Sequence, residues 1–403
     1  MRIAIISPSA HDQGHHWPCT EQLATALLAT GDDVEIFVAA PPIIAPREEI
    51  ASRLVVAQTR SRRISASESR KENKGSILSK NREMLACMWT LLKSHQRDSF
   101  AVVHFVDARY FFLLILVILS RLNITAYLTG GRGHFRSTPN GSLFGKIRTD
   151  LFDYLFSTAF ATNRLRFITE TDATRLDWST VAGQNVTVIP YPISPVTNKI
   201  DRTTARLKWK IPTDQPIFLL FGTHRQGKDY ETVVQAACGM VPRPFLLFAG
   251  AVISENDPAK ILALYKYHES LTVSRFLTDA ETAEVFTASD AVILPYPANY
   301  DKGSGVLLEA CRFDRPVIAT RGGFLEKFIR HFHTGLLYQP NSPVDLQRVL
   351  VEFVTAMGTP NVFRAAISEV KTSFSWEVLV QDYRQVFTFS DPACAGKPFT
   401  WMR

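Results

Sequence analysis

Residues 294–320 read LPYPANYDKGSGVLLEACRFDRPVIAT. The stretch opens on the end of an apolar strand, Ala291-Val292-Ile293-Leu294, and closes on a second one, Pro316-Val317-Ile318-Ala319. Between them lie a loop with Gly303 and Gly305 and a short helical run. That run carries Glu309, eight residues after Asp301. Strand, loop, helix and strand in this order are one unit of a parallel sheet covered by helices.

The same residues carry chemistry. Ser304 can cap a helix that begins after it. The glycines allow backbone to approach a ligand closely. The N–H groups of Gly305, Val306 and Leu307 then face outward as an anion site. Glu309, one turn inside the helix, is placed to accept hydrogen bonds from a neutral polyol such as a ribose, and Asp301 can do so for a second polyol. An anion site flanked by two hydroxyl-reading acids suits a nucleotide sugar. Read blandly, Asp301 is a loop acid and Glu309 a surface acid.

Outward from this unit, apolar strand-like runs alternate with helix-like ones. In the first half they are Ile3–Ser7, Val34–Ala39, Leu54–Ala57, Ala101–Val106, Ile124–Thr129, Arg166–Thr169 and Val186–Ile189. Then IPYPISPVTNKIDRTT, residues 189–204, breaks the pattern with three prolines and a polar run. The alternation restarts at Ile217–Phe221, Phe245–Ala249, Leu271–Phe276, Ala291–Leu294, Val317–Ala319 and Gly335–Tyr338. The expected fold class is α/β, with two doubly wound Rossmann-like domains facing across a cleft that would hold the ligand. The expected limits are 1–195 for an acceptor domain and 196–375 for a donor domain. Residues 376–403 are expected to cross back to the first.

The second domain opens on FLLFGTHRQGKDYETVVQAA, residues 218–237. Arg225 and Lys228 sit in the loop after its first strand, at the sheet edge where a ligand lies. Two cations three residues apart beside a glycine turn suit a diphosphate, and two solvated loop cations are the plain alternative.

FGTHRQGK, the run from Arg275 to Phe328 and FSWEVLVQDYRQVF (Phe374–Phe387) together resemble the retaining GT-B glycosyltransferases of glycosyltransferase family 4. The resemblance is dense from about Phe218 to Tyr338 and thinner before it. It implies that Arg225 and Lys228 bind the donor diphosphate. It implies that Asp301 and Glu309 stand for the Glu-x7-Glu pair touching donor sugar and ribose, with aspartate here one methylene shorter at the first place. Gly303, Ser304, Gly305, Val306 and Leu307 would meet sugar and phosphate, and Arg275, Phe276 and Leu277 would read the base. Gly14, in HDQGHHW, stands for a glycine loop approaching the donor. His134, in LTGGRGHF, stands for a sugar-site histidine, with His15, His16 and His104 as rivals. The implied reaction uses a UDP- or GDP-type nucleotide-diphosphate sugar, a glycan, lipid-linked or small-molecule acceptor, and neither cofactor nor metal.

The bulk composition is ordinary. The 403 residues are 46% hydrophobic and 21% charged, which is typical of a globular protein long enough for two domains. Five scattered cysteines without a Cys-x-x-Cys read as reduced thiols. The strand-like start and the short apolar run Tyr110–Leu119 point to a cytoplasmic chain with no signal peptide or span.

The net charge is +7. Residues Arg60 to Arg82 nearly account for it, with eight bases against two acids. This window reads either as a solvated loop or as an arm for an anionic membrane surface, making the protein peripheral. Two rival functions remain. A GT-B sugar-nucleotide epimerase would convert donor without acceptor. A nucleic-acid or other anion-binding module would use the basic arm, but no aromatic residue interleaves that arm, so no nucleic acid is expected.

Overall fold

Short runs of Ile, Val, Leu and Phe alternate with helices along the chain because each strand is covered on both faces. Such strands read as continuous apolar runs and not as alternating ones. The computed structural model describes residues 1–8, 16–42, 44–57, 77–94, 100–106, 122–128, 154–183, 185–356 and 363–388. The chain divides into two compact units. One comprises Met1–Pro190 with Trp376–Arg403, the other Tyr191–Ser375.

In the first unit, β1 (Arg2–Ile6), β2 (Asp33–Val38), β3 (Leu54–Val56), β4 (Phe100–Val106), β5 (Ile124–Leu128), β6 (Leu165–Thr169) and β7 (Val186–Val188) form one sheet. Their order is β3-β2-β1-β4-β5-β6-β7, all parallel. Every residue of β5 and β6 is buried. Phe167 packs edge-on against Phe160 and Trp178 beneath the sheet.

The helix Trp376–Thr388 packs on this unit, against the helix His16–Ala29 and strands β4 and β5. Its Leu379, Tyr383 and Phe387 are buried, and its Val386 carbonyl accepts from Arg166 at 3.4 Å. At its outer end Arg384 pairs with Asp32, which also holds the N-terminal ammonium at 2.7 Å.

In the second unit, β8 (Ile217–Phe221), β9 (Phe245–Ala249), β10 (Ser270–Val273), β11 (Ala291–Leu294), β12 (Val317–Thr320) and β13 (Gly335–Tyr338) form a parallel sheet. The order β10-β9-β8-β11-β12-β13 reverses between β8 and β11, the switch point where such sheets leave a crevice outside their carboxyl ends.

The amino edge of the same two strands is locked by charge. Asp290, just before β11, pairs with Arg206 at 2.9 Å and accepts the Ile217 N–H of β8 at 2.7 Å. Arg206 donates further to the carbonyls of Ala288 and Thr213 at 2.9 and 2.8 Å. A buried ion pair satisfied this fully fixes geometry at one end and leaves the other end free for loops.

One strand is shorter than its sequence predicts. The run Leu271–Phe276 leaves the sheet at Val273, because Arg275 N–H turns back to the Val273 carbonyl at 3.0 Å. Cys19, Cys87, Cys238 and Cys311 form no disulfide among the described residues. Tyr110–Leu119 and Cys394 lie outside the described residues. Among the described residues no helix is long and apolar enough to cross a membrane.

Candidate functional site

The loops after β8 and β11 flank the switch point of the second unit. The β8 loop is held by its neighbours. Gly222 N–H donates to Ala249, and His224 exchanges backbone hydrogen bonds with Ala251 and Ile253 at 2.8 and 3.1 Å. Asn256 Nδ2 donates to the carbonyls of Arg225 and Lys228. Asp229 N–H donates to Pro295 in the β11 loop at 2.8 Å. Its side chain then caps the next helix through Thr232 N–H at 3.0 Å.

Lys228 is therefore presented from a braced turn, and it is only 9% exposed. Its Nζ donates to the Phe221 carbonyl at 2.8 Å and lies 6.0 Å from the Tyr296 ring centre. No carboxylate pairs with it among the described residues. Burial, with the Arg225 charge adding to it, brings its ammonium down to about 7. Arg225 is exposed three residues away.

His224 beneath the turn is fully buried and shares a 2.6 Å hydrogen bond with Tyr230 through Nδ1. Its Nε2 has no partner. Burial, and then Lys228, push it down to about 4, so the ring is neutral near pH 7.

The helix Gly305–Arg312 begins beside this cation. Ser304, buried, caps it by accepting from Leu307 N–H at 3.3 Å. The N–H groups of Gly305 and Val306 carry no acceptor among the described residues, and the space beside Gly305 is open. A side chain at Gly222 would meet Val306 Cγ2 at 3.4 Å and Lys228 Nζ at 3.7 Å. The buried ammonium and the first turn of the helix thus line the same small space. Both favour negative charge there.

The two acids differ in setting. Glu309 is half-buried and pairs with Arg312 at 3.3 Å. Burial raises its carboxyl above the ordinary range, and Arg312 opposes that rise. Asp301 is exposed on the loop, near Tyr300, whose hydroxyl bonds the Gly303 carbonyl at 3.2 Å.

Arg275 makes a bidentate pair with Glu281 at 2.6 and 2.8 Å, which fixes the backbone of residues 275–277 after β10. Phe276 is exposed there, and Leu277 is half-buried. Gly14 and His134 lie outside the described residues. Among the described residues no cluster of three or more His, Cys, Asp or Glu could hold a metal ion.

A model of the family Glycosyl transferases group 1 matches residues 201–367. The chain carries a group 1 glycosyl transferase domain. Arg225, Lys228, Asp301, Ser304 and Glu309 all fall inside the matched residues of this domain.

The chain is also 30% identical, over 94 residues, to an uncharacterized glycosyltransferase of Methanocaldococcus jannaschii. That match covers 23% of this chain and 27% of the relative. In fold the chain is similar to sucrose-phosphate synthase from Thermosynechococcus elongatus, with a TM-score of 0.69 at 18% identity over 97% of this chain and 100% of that one. It is similar to a glycosyltransferase from Rickettsia africae, with a TM-score of 0.70 at 16% identity over 96% and 97%. It is similar to Anabaena HepE, solved with UDP-glucose, with a TM-score of 0.63 at 14% identity over 96% and 99%. The α/β fold with two parallel sheets is of the GT-B type.

Three residues of the group 1 domain escape a reading of the sequence. Asn256 is a loop amide distant from the cations it braces. Tyr296 stands under Lys228 only because β8 and β11 are neighbours. His224 lies inside FGTHRQGK, but a lone histidine there gives no sign of being buried and half-satisfied.

Proposed function

We propose that the protein transfers a sugar from a nucleotide-diphosphate sugar to an acceptor hydroxyl with retention at the anomeric carbon. One observation carries the reading. A buried lysine without a carboxylate shares a glycine-sized space with the open first turn of a helix, at the switch point of a group 1 domain. An unpaired buried ammonium is unfavourable unless an anion completes it.

In this reading Lys228, Arg225 and the N–H groups of Gly305 and Val306 hold the donor diphosphate. They neutralise its charge as the glycosidic bond breaks. No metal is required for that step, since preformed cations and dipoles supply the stabilisation. Glu309 takes the ribose hydroxyls and Asp301 the donor sugar, with Gly303, Ser304 and Leu307 shaping the approach. Arg275, Phe276 and Leu277 present main chain to the base. The family resemblance assigns Gly14 to a loop that approaches the donor and His134 to the sugar site. The acceptor hydroxyl attacks the face that the leaving phosphate departs, and that phosphate accepts its proton.

Similarity in fold to HepE, which binds UDP and UDP-glucose, supports a UDP-type donor. The acceptor is a glycan, a lipid-linked sugar or a small molecule, reached from the cytoplasmic side.

The test is a nucleotide-sugar panel read by thermal shift and turnover, with Arg225→Ala and Lys228→Ala combined. The cognate donor raises the unfolding temperature of the wild type. The double variant loses that shift and about 100-fold or more in kcat/KM. Turnover within a few-fold of wild type would refute the phosphate assignment.

A further inference from the structure

The helix Ile77–Lys93 of the first unit has two unlike faces. Met84, Cys87, Met88 and Leu91 are at most 1% exposed and lie in the hydrophobic core. These four apolar residues are therefore unavailable to any outside partner. Arg82, Leu85, Trp89 and Lys93 fall on the opposite face, since steps of three and four residues stay on one side of a helix.

Arg82 and Lys93 are exposed, Leu85 is 37% exposed and Trp89 is 61% exposed. Lys93 Nζ lies 5.3 Å from the Trp89 ring centre. The one acid of the helix, Glu83, is half-buried. An open indole and a leucine between two cations form an amphipathic surface. Solvent alone gives no reason for it.

The sequence adds the second half of the argument. The window Arg60–Arg82, which runs directly into this helix, holds eight bases and two acids. Stable attachment to a lipid surface takes two signals, a cationic one for anionic headgroups and an apolar one for the acyl boundary. Tryptophan favours that boundary because its ring is apolar and its N–H is polar. The helix face supplies both signals, and the sequence before it adds further cations.

We infer that the face Arg82, Leu85, Trp89 and Lys93 docks on an anionic lipid surface, with Trp89 inserted between headgroups. This assignment stands apart from the donor site and survives or fails without it.

The test uses the full chain and phosphatidylcholine vesicles with and without phosphatidylserine, at about three to one. Wild type sediments with the anionic vesicles and not with the neutral ones. Binding weakens as salt rises through the physiological range. Trp89 emission shifts to the blue on binding. Trp89→Ala lowers the partition coefficient about tenfold, Trp89→Phe restores most of it, and Arg82→Glu with Lys93→Glu abolishes it.

Trp89 is 61% exposed, so the variants keep the wild-type unfolding temperature. Absence of binding to anionic vesicles overturns the inference. Equal binding to neutral ones does so too, and so does a Trp89→Ala variant that binds as wild type. A concentration-dependent dimer abolished by Trp89→Ala, without vesicle binding, assigns the face to a second copy instead.

Discussion

Asn256 Nδ2 donates to the carbonyl of Lys228 at 2.7 Å and to that of Arg225 at 3.0 Å. One amide therefore braces both ends of the turn that carries the two cations. Asn256→Asp keeps the shape and removes both donors. It lowers the affinity for UDP about tenfold and leaves the unfolding temperature within a few degrees of wild type. Titration calorimetry with UDP checks it, and unchanged affinity refutes the bracing role.

Lys228 gives a pH signature. Its ammonium is held at about 7 in the fold, below the ordinary lysine value, chiefly by burial. Between about pH 7 and that ordinary value the unfolded chain binds more protons, so this residue's contribution to stability rises with pH across the window and is most unfavourable below it. Binding of a diphosphate needs the charged form. Affinity for UDP therefore falls roughly tenfold per unit as pH rises above about 7. Lys228→Met raises the unfolding temperature at about pH 6 while UDP binding is lost. A flat affinity profile from about pH 6 to 9 contradicts the assignment.

Two glycines separate stability from binding. A Cβ at Gly250, φ 153°, would overlap the carbonyl oxygen of Gly222, while at Gly305 it would meet open space. Gly250→Ala costs about 1–3 kcal/mol in urea unfolding because backbone must move. Gly305→Ala leaves stability unchanged and weakens UDP binding, since the methyl group fills the space beside the free N–H groups. Equal binding by Gly305→Ala and wild type excludes a ligand there.

Asp32 holds the N-terminal ammonium and Arg384 together. Its burial raises the carboxyl, but the ammonium, Thr30 and Arg384 outweigh that and keep it below the ordinary range. Its stabilising contribution is present above the ordinary aspartate value and is lost as pH falls through the lower folded one. Asp32→Ala leaves two cations unpaired and costs about 2 kcal/mol. Limited proteolysis should then cut within residues 376–388 before any site in the second unit.

Sequence alone carries the strands of both sheets. Runs such as Ile217-Phe218-Leu219-Leu220 and Val292-Ile293-Leu294 are buried on both faces, so burial writes itself as an unbroken apolar run. The helix at Gly305 is equally legible, because Ser304 is a capping residue followed by a helical run. Local signals end where contacts between distant segments begin. FGTHRQGK shows that Lys228 is a cation after a strand. That it is buried over the Tyr296 ring follows from β11 lying beside β8, which no short stretch encodes. The early end of β10 has the same origin, since Arg275 is drawn away by Glu281 in the next helix. Gly14 and His134 rest on family resemblance and lie outside the described residues.

The chain leaves its first unit at Pro190 and returns to it at Trp376. On the ribosome, the segment that covers β4 and β5 is made only after the whole second unit has emerged. Until then the first sheet lacks Leu379, Tyr383 and Phe387, and the apolar surface they cover stays wet. The earlier-made half is thus the later-finished one, and a nascent chain halted at residue 375 is the form that a chaperone would hold.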